Sequence, residues 1–259
     1  MDLQSRDAKA RKIENLLSLR ERDGPLKILE VGTGSGGIAS YFGCHPTLRC
    51  EVDAVDVSDS RQSKEGFRFQ QVNGVELPFP DAVYDVVISN HVIEHVGDHD
   101  AQRQHLAELH RVIKRDGIGY LAVPNRWQLV EPHYRLAFLS WLPERWRSAY
   151  VRYSGRGQDY DCRPLTVRVL EPMIAEAGFR CQQQLGRAVR STFELERPGA
   201  LSYRTILKHL PDESYRILRR VFPTLIYLLT PKVVQRGASP QHAQSIGLSN
   251  SLGSIWHDE

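Results

Sequence analysis

A doubly wound α/β domain with a mostly parallel sheet follows from three features of this chain. Short apolar runs of strand length alternate with stretches of helical periodicity from Leu26 to Pro124. One run, Tyr84 to Asn90, is apolar almost throughout, as in a strand covered on both faces. The first run, Leu26 to Val31, passes directly into Gly32, Gly34 and Gly37. Sheets of this kind bind ligands beyond the carboxyl ends of their strands, where such a turn falls.

Leu3 to Arg22 places Ile13, Leu16, Leu17 and Leu19 among charges, predicting an amphipathic helix over residues 1–24 that ends at Asp23-Gly24-Pro25. Leu26 to Val31 is the first strand, and Ile38 to Phe42 begins the crossover helix. Cys50 to Val57 and Phe67 to Val72 read as the second and third strands, and Tyr84 to Asn90 as a central fourth. Asp98 or Asp100 caps a helix through Leu106, Leu109 and Ile113, with Lys114 and Arg115 near its end and Gly117 stopping it. Gly119 to Pro124 is the fifth strand.

After Asn125 the composition changes. Eight arginines face four acids between Arg126 and Arg168, and three of the four tryptophans lie there. Pro143 suits the first turn of a helix with Trp146, Tyr150 and Tyr153 on one face. Residues 126–164 are expected to form a cap over a site within a domain spanning 25–231. Thr166 to Ala177 is again helical, kinked or late-starting at Pro172. Arg180 to Leu185 and Thr224 to Leu229 read as the last strands, with a polar helical excursion between them, and 232–259 as a flexible tail.

Hydrophobic residues at 41% and charged residues at 25% are ordinary for a globular protein of 259 residues. The charged amino terminus lacks a signal-peptide run, and no stretch approaches the roughly 20 apolar residues that span a bilayer. Cys44, Cys50, Cys162 and Cys181 show no metal-like spacing. A cytoplasmic location is expected, with Val221 to Leu229 either a buried strand or a membrane-surface contact.

Gly32, Gly34 and Gly37 satisfy G-x-G-x-x-G, which suits any adenosine cofactor, and Asp56 ends the next strand, where a carboxylate can accept from both ribose hydroxyls. ILEVGTGSGG, AVDVS, LPFPDAVYDVVISNHVIEHV and LAELHRVIKRDGIGYLAVPN stand in order between Lys27 and Phe179. In these the chain resembles the class I S-adenosylmethionine-dependent methyltransferases, particularly the type 11 group similar to ubiquinone-biosynthesis methyltransferases. The resemblance implies a Rossmann-like seven-stranded sheet with one antiparallel strand, and S-adenosyl-L-methionine as cofactor. It places Glu30 near the methionine amino end, the backbone of Gly32, Thr33, Gly34 and Gly36 along the ligand, and Asp56 with Val57 at the ribose. Asn73 and Gly74 take the adenine edge, where the family often has aspartate. Asn90 and His91 border the methionine moiety and the acceptor.

His95 and His133 are the candidates for a general base, because a near-neutral imidazole suits removal of a hydroxyl proton. Either could instead brace its loop. His91, Glu94 and His95 match H-x-x-E-H, but that zinc pattern needs a helix presenting both histidines and a third ligand, so no metal is expected. The arginines and aromatics of the cap suit a glycan, a lipid-linked intermediate or another small acceptor better than nucleic acid. The expected activity is O-methylation, with a Rossmann-type NAD(P)-binding oxidoreductase or a noncatalytic cofactor-binding adaptor as alternatives.

Overall fold

The computed structural model describes residues 3–131, 133–196, 205, 209–220 and 222–232. The expected tail, from residue 233 onward, lies outside the described residues. Seven strands form one sheet: β1 (Leu26–Val31), β2 (Cys50–Asp56), β3 (Phe67–Gln71), β4 (Tyr84–Asn90), β5 (Ile113–Pro124), β8 (Phe179–Gln183) and β9 (Thr224–Pro231). Their order is β3-β2-β1-β4-β5-β9-β8. β9 runs antiparallel to both neighbours and every other pairing is parallel, as the resemblance implied.

The period of two along each strand sorts the apolar residues onto two faces. Leu29, Val87, Leu121, Val123, Leu225 and Tyr227 pack with α3 (His99–Val112) and α5 (Val167–Glu176). Ile28, Val86, Ile88, Ala122, Ile226 and Leu228 point the other way, toward α1 (Leu3–Leu17), α2 (Gly37–Gly43) and α6 (Leu185–Glu196). The Thr224 to Leu229 run is thus a strand between β5 and β8, buried from Leu225 to Leu229, and not a membrane-facing segment. Among the described residues no helix is long and apolar enough to cross a membrane.

Three local expectations need correction. α1 ends at Leu17, because Ser18 turns into the left-handed region at φ 50° and a 3-10 turn follows over Leu19–Glu21. α3 ends at Val112, two residues before Lys114. Ile113 pairs with Tyr84 at the start of β5 and is buried, while a register shift absorbs the extra residues before Ile118. Gly117 serves this bulge and not a helix stop, since a Cβ there would lie 2.6 Å from the Ile113 side chain. Asp98 is the helix cap, its carboxylate accepting from the amides of Asp100 and Ala101.

The 126–164 segment carries a short hairpin, β6 (Val130–Glu131) with β7 (Leu136–Ala137), then α4 (Glu144–Tyr153). The third correction concerns α4. Its buried residues are Arg147 and Val151, while Trp146 and Tyr153 are exposed and Tyr150 is half-buried, so the three aromatics do not share one environment as the expected common face implied. Arg147 is accommodated because its guanidinium donates to the carbonyls of Leu142 and Ser140. A small core of Leu136, Leu139 and Val151 with Tyr134, Tyr150 and Tyr160 holds the segment together. It is tied to the loop after β4 by the Arg163 amide donating to the Glu94 carbonyl at 2.7 Å. α5 passes through Pro172 without stopping. Among the described residues the excursion before β9 carries α6 and α7 (Asp212–Leu218).

Candidate functional site

The glycine turn after β1 is shaped by backbone that side chains would obstruct. Gly32, Gly34 and Gly36 have φ of 82°, 52° and 80°. A Cβ on Gly36 would lie 2.2 Å from the Ser63 carbonyl oxygen. The turn is anchored to β2: the amides of Gly32 and Thr33 donate to the Val55 carbonyl, as does the Thr33 hydroxyl. Asp56 completes the arrangement by accepting from the Gly34 amide at 2.8 Å and the Ser58 amide at 3.3 Å. Its position at the end of β2 leaves further lone pairs for a ligand's hydroxyls.

These groups open onto a cavity of about 1130 Å³ at the carboxyl ends of the strands. Gly32, Gly34, Asp56 and Val57 line one side of it, and Gly74, Asn90 and His91 continue the wall. His95 and His133 line it as well, so both base candidates share the glycine turn's cavity. Four expected contacts are not on its surface. Thr33 is buried and bonded to Val55, Gly36 serves the turn behind, and exposed Asn73 leaves the wall to Gly74.

Glu30 is the fourth. At 1% exposure it lies beneath the turn, a carboxyl oxygen accepting from the Ala39 amide of α2 at 3.0 Å. Burial pushes its pKa up to about 8, against the opposing pull of Arg6 and the Ala39 bond. The residue braces the first turn of α2 from inside the domain.

His133 has a fixed partner. Its Nδ1 is 2.7 Å from an oxygen of Glu131, a carboxylate 1% exposed whose other oxygen accepts from the Tyr134 amide. Glu131 holds the imidazole pKa above its ordinary value, burial opposing. The His95 ring packs edge-on against His133 at 5.5 Å. His91 takes a left-handed backbone, φ 60°, with Nδ1 3.3 Å from Glu94. The H-x-x-E-H segment forms a turn and not a helix, so it does not present its two histidines as that zinc pattern requires.

Several site residues carry no motif. Arg6, Lys9 and Lys12 of α1 reach the cavity, and their three-residue spacing was the only trace in the sequence. Leu185, Ala188 and Val189 of α6, with Phe222 and Ile226, give an apolar wall. His105, paired with Ser89 at 3.0 Å, lines the floor, and burial pushes its pKa down to about 4. Buried Asn125 donates to the carbonyls of Arg219, Arg220 and Phe222, fixing that wall's position against the end of β5.

Comparison with known proteins agrees with this geometry. A family model described as a methyltransferase domain matches residues 29–121. A probable S-adenosylmethionine-dependent methyltransferase of Mycobacterium tuberculosis is 34% identical over 101 residues, covering 38% of this chain and 36% of that protein. The chain thus matches about a third of the length of that curated relative. An uncharacterized protein of Haemophilus influenzae is 30% identical over 176 residues, covering 59% of this chain and 67% of that one. The solved structure of the YcgJ protein from Bacillus subtilis shares the fold, with a TM-score of 0.52 at 17% identity, over 86% of this chain and 98% of that one. With its glycine turn, Asp56 at the end of β2 and a 3-2-1-4-5 strand order continued by an antiparallel last strand, the chain carries a methyltransferase domain over residues 29–121 and is similar to S-adenosylmethionine-dependent methyltransferases.

Proposed function

We propose that this chain transfers the methyl group of S-adenosylmethionine to an oxygen of an acceptor held beneath the 126–164 cap. The observation that carries the reading is His133, which is paired with buried Glu131 and lines one cavity with Asp56 and the glycine turn. Asp56 would hold the ribose, Gly74 the adenine edge, and Asn90 and His91 the boundary between methionine and acceptor. The sulfonium is already a good leaving group, so the main task is alignment and exclusion of water.

In the step itself the acceptor oxygen attacks the methyl carbon as the carbon–sulfur bond breaks, leaving neutral S-adenosylhomocysteine. The hydroxyl proton passes to Nε2, the second ring nitrogen of His133. Glu131, on Nδ1, fixes the tautomer and stabilises the resulting imidazolium. The apolar wall of α6 and β9, faced by the cations of α1, suits a glycan, lipid-linked or other small acceptor that combines apolar and acidic parts.

The test is incubation of the pure protein with labelled S-adenosylmethionine and a panel of glycan, lipid-linked, phenolic and RNA acceptors. Label recovered in an ether or ester of one of the first three classes is the expected result. Methylation of RNA, or of nitrogen or carbon alone, would refute the acceptor assignment. Calorimetric binding of NAD without binding of S-adenosylhomocysteine would refute the reading altogether.

A further inference from the structure

The loop after β4 and the end of the cap bring together donor groups that the methyl-transfer reading does not use. Cys162 is 3% exposed, and its sulfur lies 3.7 Å from Nδ1 and 3.8 Å from Nε2 of His95. Of the Asp161 carboxylate, Oδ1 stands 3.6 Å from the same sulfur and Oδ2 3.8 Å from His95 Nδ1. The sulfur is at most a weak hydrogen-bond partner of His95, the Asp161–His95 contact is longer than a hydrogen bond, and Asp161 accepts from the Tyr134 hydroxyl at 3.3 Å and weakly from the thiol. The separations among the three groups are close to the edges of a tetrahedron around zinc, about 3.4–3.6 Å for bonds of about 2.1 Å to nitrogen or oxygen and about 2.3 Å to sulfur.

A second observation concerns Glu94. Its side chain is fully buried, and among the described residues neither carboxylate oxygen has a well-directed hydrogen bond. It faces His91 Nδ1 at 3.3 Å and His95 Nε2 at 4.0 Å. A buried carboxylate behind a histidine is the usual support of a metal-bound imidazole, because it orients the ring and raises its basicity. Here His95 lies between that carboxylate and the sulfur–carboxylate pair.

From this arrangement we infer that His95, Asp161 and Cys162 form a binding site for one divalent ion of the zinc class, joining the cap to the loop after β4. Imidazole and thiolate donors select zinc and its transition-metal neighbours over magnesium or calcium. Cys162 releases its thiol proton to solvent on binding and ligates as thiolate. Glu131 and His133 also approach Cys162, but their 2.7 Å separation is a hydrogen bond and too short for two ligands of one ion. Three protein ligands leave a fourth position for water or an acceptor atom, beside the cavity that His95 lines. The inference does not depend on the acceptor or on His133 acting as a base.

The experiment is titration of the chelator-stripped full chain with Co2+, followed by displacement with Zn2+. One Co2+ per chain, with visible bands of a tetrahedral ion and a sulfur-to-cobalt charge-transfer band, is the expected result. Cys162→Ser should abolish the charge-transfer band, and Asp161→Asn and His95→Ala should each weaken binding at least roughly tenfold. Asp161 is largely exposed, so Asp161→Asn leaves the fold undisturbed, as circular dichroism of the stripped protein would verify. Cys181→Ser should retain the spectrum. Absence of stoichiometric uptake at micromolar Co2+, or a charge-transfer band that survives Cys162→Ser, would overturn the site.

Discussion

Replacing Glu30 with glutamine should flatten the pH dependence of stability in a way that can be calculated. The carboxyl is 1% exposed and its pKa is pushed up to about 8 from an ordinary value of 4.5. The folded chain therefore keeps a proton that the unfolded chain releases above pH 4.5. Stability from this linkage is fully present below that value and is lost as pH rises toward 8. At about 1.4 kcal/mol per pH unit, tapering near the folded-state pKa, the loss between pH 5.5 and 7.5 is about 2 to 3 kcal/mol. A glutamine side chain can still accept from the Ala39 amide, and whatever its carboxamide costs is independent of pH.

His105 works in the opposite sense. Its pKa is pushed down to about 4, so its contribution to stability is lost as pH falls from 6.5 toward 4. It is common to both proteins and cancels in their difference. Urea unfolding of the cofactor-free wild type and Glu30→Gln at pH 5.5, 6.5 and 7.5 gives that difference directly. It should move by about 2 to 3 kcal/mol in favour of the variant across the range. A difference constant to within about 0.5 kcal/mol would show that Glu30 is ionised in the folded protein, and the argument from burial would fail.

Other substitutions probe the turn and the acceptor side. Gly36→Ala forces a side chain into φ 80° and to within 2.2 Å of the Ser63 carbonyl, so urea unfolding should show a loss of about 2 kcal/mol or more. Unchanged stability would mean that the turn relaxes freely. Asp56→Ala removes the acceptor for the Gly34 amide and, in the proposed role, for the ribose. Calorimetry should show S-adenosylhomocysteine binding weakened by roughly 100-fold, whereas wild-type affinity would exclude this role. His133→Ala should lower turnover by about 10² to 10⁴ with cofactor affinity unchanged, and full activity would remove it as the base. Glu131→Gln should lower turnover less, since the imidazole loses only its charged partner.

The sheet was legible because its signals are local. Strand runs in Leu26 to Val31 and Tyr84 to Asn90, the glycines between, and the acid at Asp56 each act within a few residues of where they stand. Their order led to the expectation of a cofactor-binding turn. The antiparallel β9 came from the family resemblance, and pairing between Gly119 and Leu229 is too distant for composition to show. The end of α3 was misplaced because Ile113 suits helix and strand equally, and only its pairing with Tyr84 and burial decide between them.

Side-chain partnerships at the site were the least legible part. Periodicity put Trp146, Tyr150 and Tyr153 of α4 together but could not say that Arg147 faces inward, because the carbonyls that receive it come from Ser140 and Leu142. Glu30 precedes the turn in sequence, yet the way α2 sits on β1 directs its carboxyl group to Ala39. The sequence alone determined the strand succession, the glycine turn and the cofactor family, since each depends on backbone freedom and near neighbours. Only the tertiary structure decided that Glu131 serves His133, that α1 and α6 wall the cavity, and that Cys162 lies beside His95. Those groups meet through the packing of distant segments, and burial and charge then set what each can do.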